Sequence, residues 1–478
     1  MEDHQTLIDE IEKFCRTRTI AETTFGRMAV NDGKFVGRLR SGKGVTTRTL
    51  KRVRDFMEAD DTLSAPEQLA PAGASTGTLA IGLNGGQSAG QTPAQSSEPT
   101  PESVNSKRAF RFYDNRQKYL TFVNTCSEKW VVAERVGMEL AQLHPRPPAL
   151  RIFDAGMGDG TVLARVMRDV HRRFPNVPLF VVGKEISLED ARLSLEKMSD
   201  RFFEHPATVL VVTNLNYSEA PWLMPGSVSA AAALNWHEVA LRGSTAYEFD
   251  EQIRDLQDTL SDGWRVRTSE KTGNPLYERP SVLVLYREDH RFIVDPILPR
   301  PGHNQSGYDL VIASQPYRAS SSVEFKAQKV LAPLARALAP GGRMLGIHSH
   351  GRDPGRDIIQ KIWPGRELGQ VGRHELLKAL KAEIGNSERD LRYNAYADAR
   401  SLFRYDMHTL PTEIDVSIGT STLFAAWNAA IYVYQIEDDL LSEAMSDSRY
   451  LEATQSVLQE HGGLWFVDES FVVSRKRD

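Results

Sequence analysis

Between Phe153 and Leu163 the chain reads FDAGMGDGTVL, with glycines at 156, 158 and 160 directly after Asp154. An apolar run precedes this stretch and a helix-patterned run follows it. Each glycine costs ordering entropy and deletes a side chain. Their repeated use at a strand-to-helix junction therefore predicts a backbone that something approaches closely. In an open α/β sheet the carboxyl end of a strand is where ligands sit. Beyond this stretch helical and strand-like patterns alternate, which predicts a doubly wound α/β sheet. Strand candidates are Arg151–Asp154, Leu179–Gly183, Thr208–Thr213, Tyr308–Ser314, Arg343–His348, Ala429–Ile436 and the C-terminal pair LWFVDESFVVSRK. Seven strands, the last antiparallel, are expected.

At 478 residues the chain is too long for one ordinary domain. Two cysteines far apart, Cys15 and Cys126, predict a reducing, cytoplasmic setting without a zinc or disulfide framework. No apolar run approaches the length of a membrane helix, and the acidic, amphipathic MEDHQTLIDEIEKF leads us to expect no signal peptide. The net charge of −5 hides an asymmetry: residues 16–57 carry eleven Lys/Arg against three Asp/Glu, leaving −13 for the rest. A basic module on an acidic body predicts that one part meets an anion. Residues 57–109 lack aromatics and are rich in Ala, Gly, Ser, Pro and Gln, which predicts a flexible linker. The expected organisation is a small all-α domain over 1–58, a linker over 59–107 and an α/β domain over 108–478.

The glycine spacing narrows the ligand. Dinucleotide sites read G-x-G-x-x-G, whereas here an acid stands two residues before G-x-G-x-G. Asp154, Gly156, Met157, Gly158, Asp159 and Gly160 resemble motif I of the class I S-adenosylmethionine (SAM)-dependent methyltransferases. That resemblance implies a seven-stranded methyltransferase sheet with SAM as cofactor. Asp154 would answer its cationic amino end, and bare glycine backbone would leave room for its amino-acid tail. Glu185, ending the next strand, resembles motif II, a carboxylate accepting both ribose hydroxyls. Asn214, ending the third strand, falls where the family often places a contact to adenine, with Asn216 the competing choice.

Ser314-Gln315-Pro316-Tyr317 is similar to motif IV of amino-group methyltransferases, [DNS]-P-P-[YFW], in the loosened form of ribosomal-RNA adenine dimethyltransferases. A conjugated amine is a poor nucleophile, because its lone pair is delocalised. Ser314 and the Gln315 carbonyl would accept its hydrogens, Pro316 would hold the turn, and the Tyr317 ring would stack on the planar substrate. Pro-Tyr packing without catalysis is the alternative.

About ninety residues separate Asn214 from Tyr308, where one helix would suffice. Residues 218–307 are therefore expected to form an inserted substrate-recognition subdomain, with a helix YEFDEQIRDLQDTL and a hairpin SVLVLYREDHRFIVDP. His237 and Glu238, read as helical, are candidate proton acceptors but are more often structural. His348 and His350 are two apart, without further ligands at metal spacing; no metal is expected.

In the N-terminal domain, LIDEIEKFC and TTFGRMAV form helical faces, NDG a turn, KFVGRLRSG a third helix and TTRTLKRVRDFM a fourth. With Ala29 four residues before Gly33 and Leu39 on the following helix, the module resembles lambda-repressor-like helix-turn-helix domains. The resemblance implies that Lys34, Arg38 and Arg40 project from a recognition helix, and that Arg27, Arg48 and Lys51 reach phosphates. A basic dimerisation or docking module is the alternative. Three functions follow: a SAM-dependent methyltransferase acting on an amino nitrogen of a nucleic-acid base; the same chemistry on a small molecule, lipid or protein; or a SAM-sensing, DNA-binding regulator without turnover. No membrane partner is expected, and self-association stays open.

Overall fold

The computed structural model describes residues 4–41 except 19–21, 31 and 33, positions 49, 53–54 and 57, and residues 116–477 except 269–274, 303–306, 412–413, 415–417 and 447. The expected linker, the start of the α/β domain at 108 and most of the fourth helix, with Arg48 and Lys51, lie outside the described residues. The chain divides into two compact units, Met1–Pro101 and Glu102–Asp478.

In the first unit, helices His4–Arg18, Glu22–Val30 and Phe35–Arg40 enclose a core of Ile11, Phe25, Phe35, Val36 and Leu39. The chain turns back tightly after the second helix, the Asp32 amide donating to the Gly26 carbonyl at 3.0 Å. A Cβ at Gly26 would stand 2.4 Å from the Asp32 carbonyl oxygen. The close approach is thus at Gly26, inside the helix.

The second unit is built on strands β1 (Leu150–Asp154), β2 (Leu179–Lys184), β3 (Thr208–Thr213), β4 (Asn235–Leu241), β5 (Val266–Thr268), β6 (Pro275–Tyr277), β7 (Ser281–Arg287), β8 (Tyr308–Ser314), β9 (Leu338–Ser349), β10 (Leu391–Asn394), β11 (Leu402–Asp406) and β12 (Trp465–Arg475). The main sheet has ten strands, not seven. Its order is β10-β12-β9-β8-β1-β2-β3-β7-β4, with β11 also paired to β12. From β3 to β9 through β2, β1 and β8 all pairs are parallel, while β12 runs antiparallel between β9 and β10. Parallel strands covered on both faces need near-continuous apolar sequence, and β2 and β3 are buried along their whole length. Order reverses between β1 and β8, which opens a crevice at their carboxyl ends.

Five features differ from the sequence reading. The segment 218–307 does not stand apart from the sheet: β7 pairs antiparallel with β3, and β4 pairs parallel with β7, extending the sheet edge. His237 and Glu238 therefore sit on a strand, not a helix, and Glu238 accepts from the Tyr286 hydroxyl at 2.8 Å. The expected hairpin is β7 followed by short helical turns. Ala429–Ile436 is no strand; it falls largely in the helix Thr420–Val433, whose Trp427, Ala430 and Ile431 are buried. The C-terminal pair is the single strand β12.

Two apolar layers sandwich the sheet. Phe153, Val182 and Val311 face one, and Ile152, Val181 and Ile312 the other, as the strand period of two requires. The helix Thr161–Arg173 closes the second layer with Val162, Leu163, Val166, Met167 and Val170, each worth about 1.5–3 kcal/mol when fully buried. A third cluster gathers around Trp427. Among the described residues no helix is long and apolar enough to cross a membrane.

Candidate active site

The three glycines serve three ends. At Gly156 an added Cβ would meet nothing within 4 Å, so this position leaves open space in the crevice. Gly158 has φ of 52° and Gly160 φ of 77°, left-handed values that favour glycine. A Cβ at Gly160 would lie 2.7 Å from Ser194 Cα, so this glycine lets the helix Thr161–Arg173 pack against the helix Leu188–Glu196. Gly156 leaves open space; Gly158 and Gly160 shape the turn.

Asp154 and Glu185 end neighbouring parallel strands or follow them by one residue. Asp154 Oδ1 accepts from the Gly156 amide at 3.2 Å. Burial pushes the Asp154 carboxyl up to about 6, against that amide and the charge of Lys129. Glu185 Oε2 accepts from the Gly158 amide at 2.7 Å, and its Oε1 from the amides of Ile186 and Ser187 at 2.7 and 2.8 Å. Burial, with Asp190 nearby, raises Glu185 to about 7.

Met157 and Asp159 lie in the glycine turn but not on the crevice. Met157 is buried with its sulfur against Gly183, where a Cβ would be 2.2 Å away. Asp159 braces the turn: Thr161 Oγ1 donates to it at 2.5 Å, Tyr119 Oη at 3.2 Å and Lys197 Nζ at 3.2 Å. Asn214 is not brought to the crevice either. Its Oδ1 accepts from Ser281 N at 2.8 Å, and its Nδ2 donates to the carbonyls of Gly263 and Arg279 at 3.0 and 3.4 Å. It stitches β3 to the inserted segment.

The crevice holds a cavity of about 170 Å³ walled by Gly156, Gly158, Glu185, Ser314, Gln315 and Pro316. Ala155 and Asp190 also line it, and part of its wall comes from residues that no spacing in the sequence could flag. Tyr119 and Lys129 come from the helices Arg116–Thr125 and Glu128–Leu140, and Tyr432 from the helix Thr420–Val433. The Tyr119 and Tyr432 rings pack at 5.7 Å, and Lys129 Nζ stands 5.5 Å from the Tyr119 centroid. The inserted segment braces the site from outside, Trp264 Nε1 donating to the Glu185 carbonyl at 2.9 Å.

Lys184, Ile186, Tyr217 and Pro316 also wall a second, larger cavity of about 840 Å³, which continues past Tyr317, Phe325 and Arg318. The turn Ser314–Tyr317 thus lies between two chambers. Gln315 has φ of 49°, a sparsely populated conformation for a residue with a side chain. Its amide donates to the Ile347 carbonyl at 2.9 Å, and its Nε2 to Asp468 Oδ2 at 3.3 Å. The Pro316 carbonyl accepts from the Tyr217 hydroxyl at 2.7 Å. Tyr317 is buried, with its hydroxyl 3.1 Å from His348 Nδ1; His348 Nε2 lies 2.8 Å from Glu469 Oε1, and Arg373 donates to Glu469 Oε2 at 2.8 Å. Burial alone would raise Glu469; His348 and Arg373 overcome it and hold the carboxyl down at about 2. This chain fixes the Tyr317 ring from behind. Of the two histidines read together in the sequence, His348 belongs to it, and His350 Nδ1 lies 3.8 Å from Glu469.

In the first unit, the cations expected to face nucleic acid are in part engaged. Arg40 pairs with Glu22 at 2.6 Å and with Glu12 at 2.5 Å, and Arg38 pairs with Asp32. Lys34 is exposed, and Arg27 lies on the helix Glu22–Val30 with its side chain outside the described residues.

Fold and crevice together define a doubly wound α/β protein with a cavity at the sheet's switch point. No family model and no curated relative matches the chain. Among solved structures it is similar to geranyl diphosphate methyltransferase in complex with GPP and sinefungin, at 13% identity over 72% of this chain and 76% of that one, with a TM-score of 0.27. It is also similar to the plantazolicin methyltransferase BpumL in complex with SAH, at 10% identity over 76% and 91% of the chains, TM-score 0.27. A third is the rRNA methyltransferase aviRa from Streptomyces viridochromogenes, at 15% identity over 52% and 77%, TM-score 0.19. Identities and TM-scores this low leave the reading of the crevice to the residues of this chain.

Proposed function

We propose that the second unit is a SAM-dependent methyltransferase whose cofactor lies in the crevice and whose acceptor enters the larger cavity beside it. One observation carries the reading: Glu185 walls the open space left by Gly156, Asp154 is buried at the neighbouring strand end outside that wall with its Oδ1 on the Gly156 amide, and the space adjoins a second chamber across the Ser314–Tyr317 turn. Asp154 suits a cationic amino group and Glu185 a pair of hydroxyl donors. The cofactor, when bound, supplies a methyl group activated by positive sulfur.

The protein's own part is alignment and polarisation. Ser314 and the Gln315 backbone carbonyl accept hydrogens from the acceptor amine, biasing its lone pair toward the crevice. Pro316, pinned by Tyr217, keeps the turn rigid, and Tyr317, held by His348, offers its ring to a planar acceptor. An amino nitrogen of a nucleic-acid base is the acceptor this turn suits best. Tyr317→Ala should lower methyl transfer about 100-fold while S-adenosylhomocysteine still binds; a label-transfer assay over DNA, RNA, protein and lipid fractions tests the first point and titration calorimetry the second. Transfer undiminished in the variant would remove Tyr317 from the acceptor site.

A nucleic-acid role for the first unit is supported by its excess of basic residues and opposed by the ion pairs of Arg38 and Arg40. Its test is whether binding of the full chain to a DNA duplex weakens with Lys34→Glu.

The raised carboxyls set a pH dependence. Binding of an amino group and hydroxyls needs both carboxylates ionised, and Asp154 and Glu185 protonate near 6 and 7. S-adenosylhomocysteine affinity should be flat above pH 8 and fall as pH drops through 7 and then 6. Titration calorimetry from pH 5.5 to 8.5 measures this, and a profile level down to pH 5.5 would contradict it.

A further inference from the structure

The wall of the larger cavity carries Lys184, Arg318, Lys329 and Arg336 against one acid, Glu383. None of these four cations has a hydrogen-bond or ion-pair partner among the described residues. Lys184 is the most telling, being only 5% exposed. On β2 it follows Phe180 and Val182 on the face opposite Leu179 and Val181, so its side chain enters the layer beneath Tyr217. Its Nζ lies 4.7 Å from the Tyr217 ring centroid and reaches no acceptor. The charge of the adjacent Glu185 favours the ammonium, but no hydrogen bond or ion pair joins the two, and the Glu185 oxygens accept from three backbone amides. Lys326 in the same layer shows the usual solution: 2% exposed, it donates to the Ala319 carbonyl at 2.8 Å. An ammonium buried without such a partner is costly and persists where something else supplies the charge.

The backbone of this wall is irregular too. Residues Lys326–Leu331 form a π-helical turn inside the helical stretch Val323–Arg336. The Ala332 amide donates five residues back, to the Ala327 carbonyl, and Pro333 after it has no N–H to give to the Lys329 carbonyl. Such π turns recur at functional sites. Here the turn presents Gln328, Lys329 and Val330 to the cavity, with Pro333 beside them.

Resting on the proposed reading of the crevice, we infer that the methyl acceptor carries a phosphate ester, which Lys184 holds inside the larger cavity with Lys329, Arg336 and Arg318 toward its mouth. A single carboxylate would leave the wall's excess positive charge mostly uncompensated, whereas a phosphate or pyrophosphate group accepts from several donors at once. Ile186, Tyr217, Phe325 and Val330 give the rest of the acceptor an apolar or planar surface. A base-bearing phosphate meets both requirements. The phosphate of a nucleic-acid backbone and that of a small phosphoester share this chemistry.

The probe is inorganic pyrophosphate, titrated calorimetrically into the full chain at low salt. Saturable binding is expected, weakened at least tenfold by Lys184→Met and by the double substitution Lys329→Glu/Arg336→Glu. The second variant alters cavity-mouth side chains, so its fold should survive if the buried substitution fails. No saturable binding by the parent, or parental affinity in the double variant, overturns the inference. S-adenosylhomocysteine titrated into the same proteins separates the two readings. Asp154→Asn should bind that ligand more weakly and keep pyrophosphate at parental affinity. A parent that binds pyrophosphate through Lys184 but never S-adenosylhomocysteine would keep the anion site and sink the methyltransferase. Displacement of pyrophosphate by a short single-stranded oligonucleotide as well as by adenosine 5′-monophosphate supports a nucleic-acid acceptor; displacement by the mononucleotide alone supports a small phosphoester.

Discussion

Replacing Asp154 by Asn should weaken S-adenosylhomocysteine binding by roughly 10- to 150-fold and leave the fold standing. The estimate follows from hydrogen bonds to charged groups, worth about 1.5–3 kcal/mol each, at about 1.4 kcal/mol per tenfold in affinity. The substitution is clean because Asn keeps an oxygen for the Gly156 amide at 3.2 Å. It also removes a carboxyl that burial has raised to about 6, so stability near neutral pH should hold or improve. Calorimetry with circular dichroism on the same sample checks both halves. Wild-type affinity in a folded Asp154→Asn protein would end the case for this crevice as the cofactor site. Glu185→Gln is a poorer test: all three of its partners are N–H donors, so a Gln amide would face at least one of them donor to donor.

The second large effect is on stability. Gly160→Ala should destabilise the second unit by about 2–5 kcal/mol in urea unfolding. About 1–2 kcal/mol comes from holding a Cβ-bearing residue in the left-handed region, and a further 1–3 kcal/mol from overpacking against Ser194, 2.7 Å from the new Cβ. Gly156→Ala, with nothing within 4 Å, should unfold like the parent yet bind S-adenosylhomocysteine more weakly. Equal stability of the Gly160 and Gly156 variants would mean that the turn is not packed as described.

Where the sequence reading departed from the fold, the cause was physical. The segment WNAAIYVYQI is dense in aromatic and β-branched residues and reads as strand. A helix buried on most of its surface loses the alternation of apolar and polar faces that would identify it, and Trp427, Ala429, Ala430 and Ile431 are all buried. NWHEV carries no strong signal of its own; its pairing with β7 at the sheet edge decides its state. Asn214 stands where a ligand contact was expected, but the inserted segment folds back to claim its amide.

The local chain dictated the β1 strand, the glycine turn and the helix after it, together with acids at the ends of two successive strands. Those features depend on neighbours within a few residues, where propensity, turn geometry and strand period operate. Tertiary structure alone decided which glycine opens onto space and which packs against Ser194, and it brought Tyr119, Lys129, Tyr217 and Tyr432 around one crevice. It also left Lys184 buried over the Tyr217 ring without a hydrogen-bond acceptor. Such placements arise from elements hundreds of residues apart meeting across a sheet, and no pattern along the chain encodes that meeting.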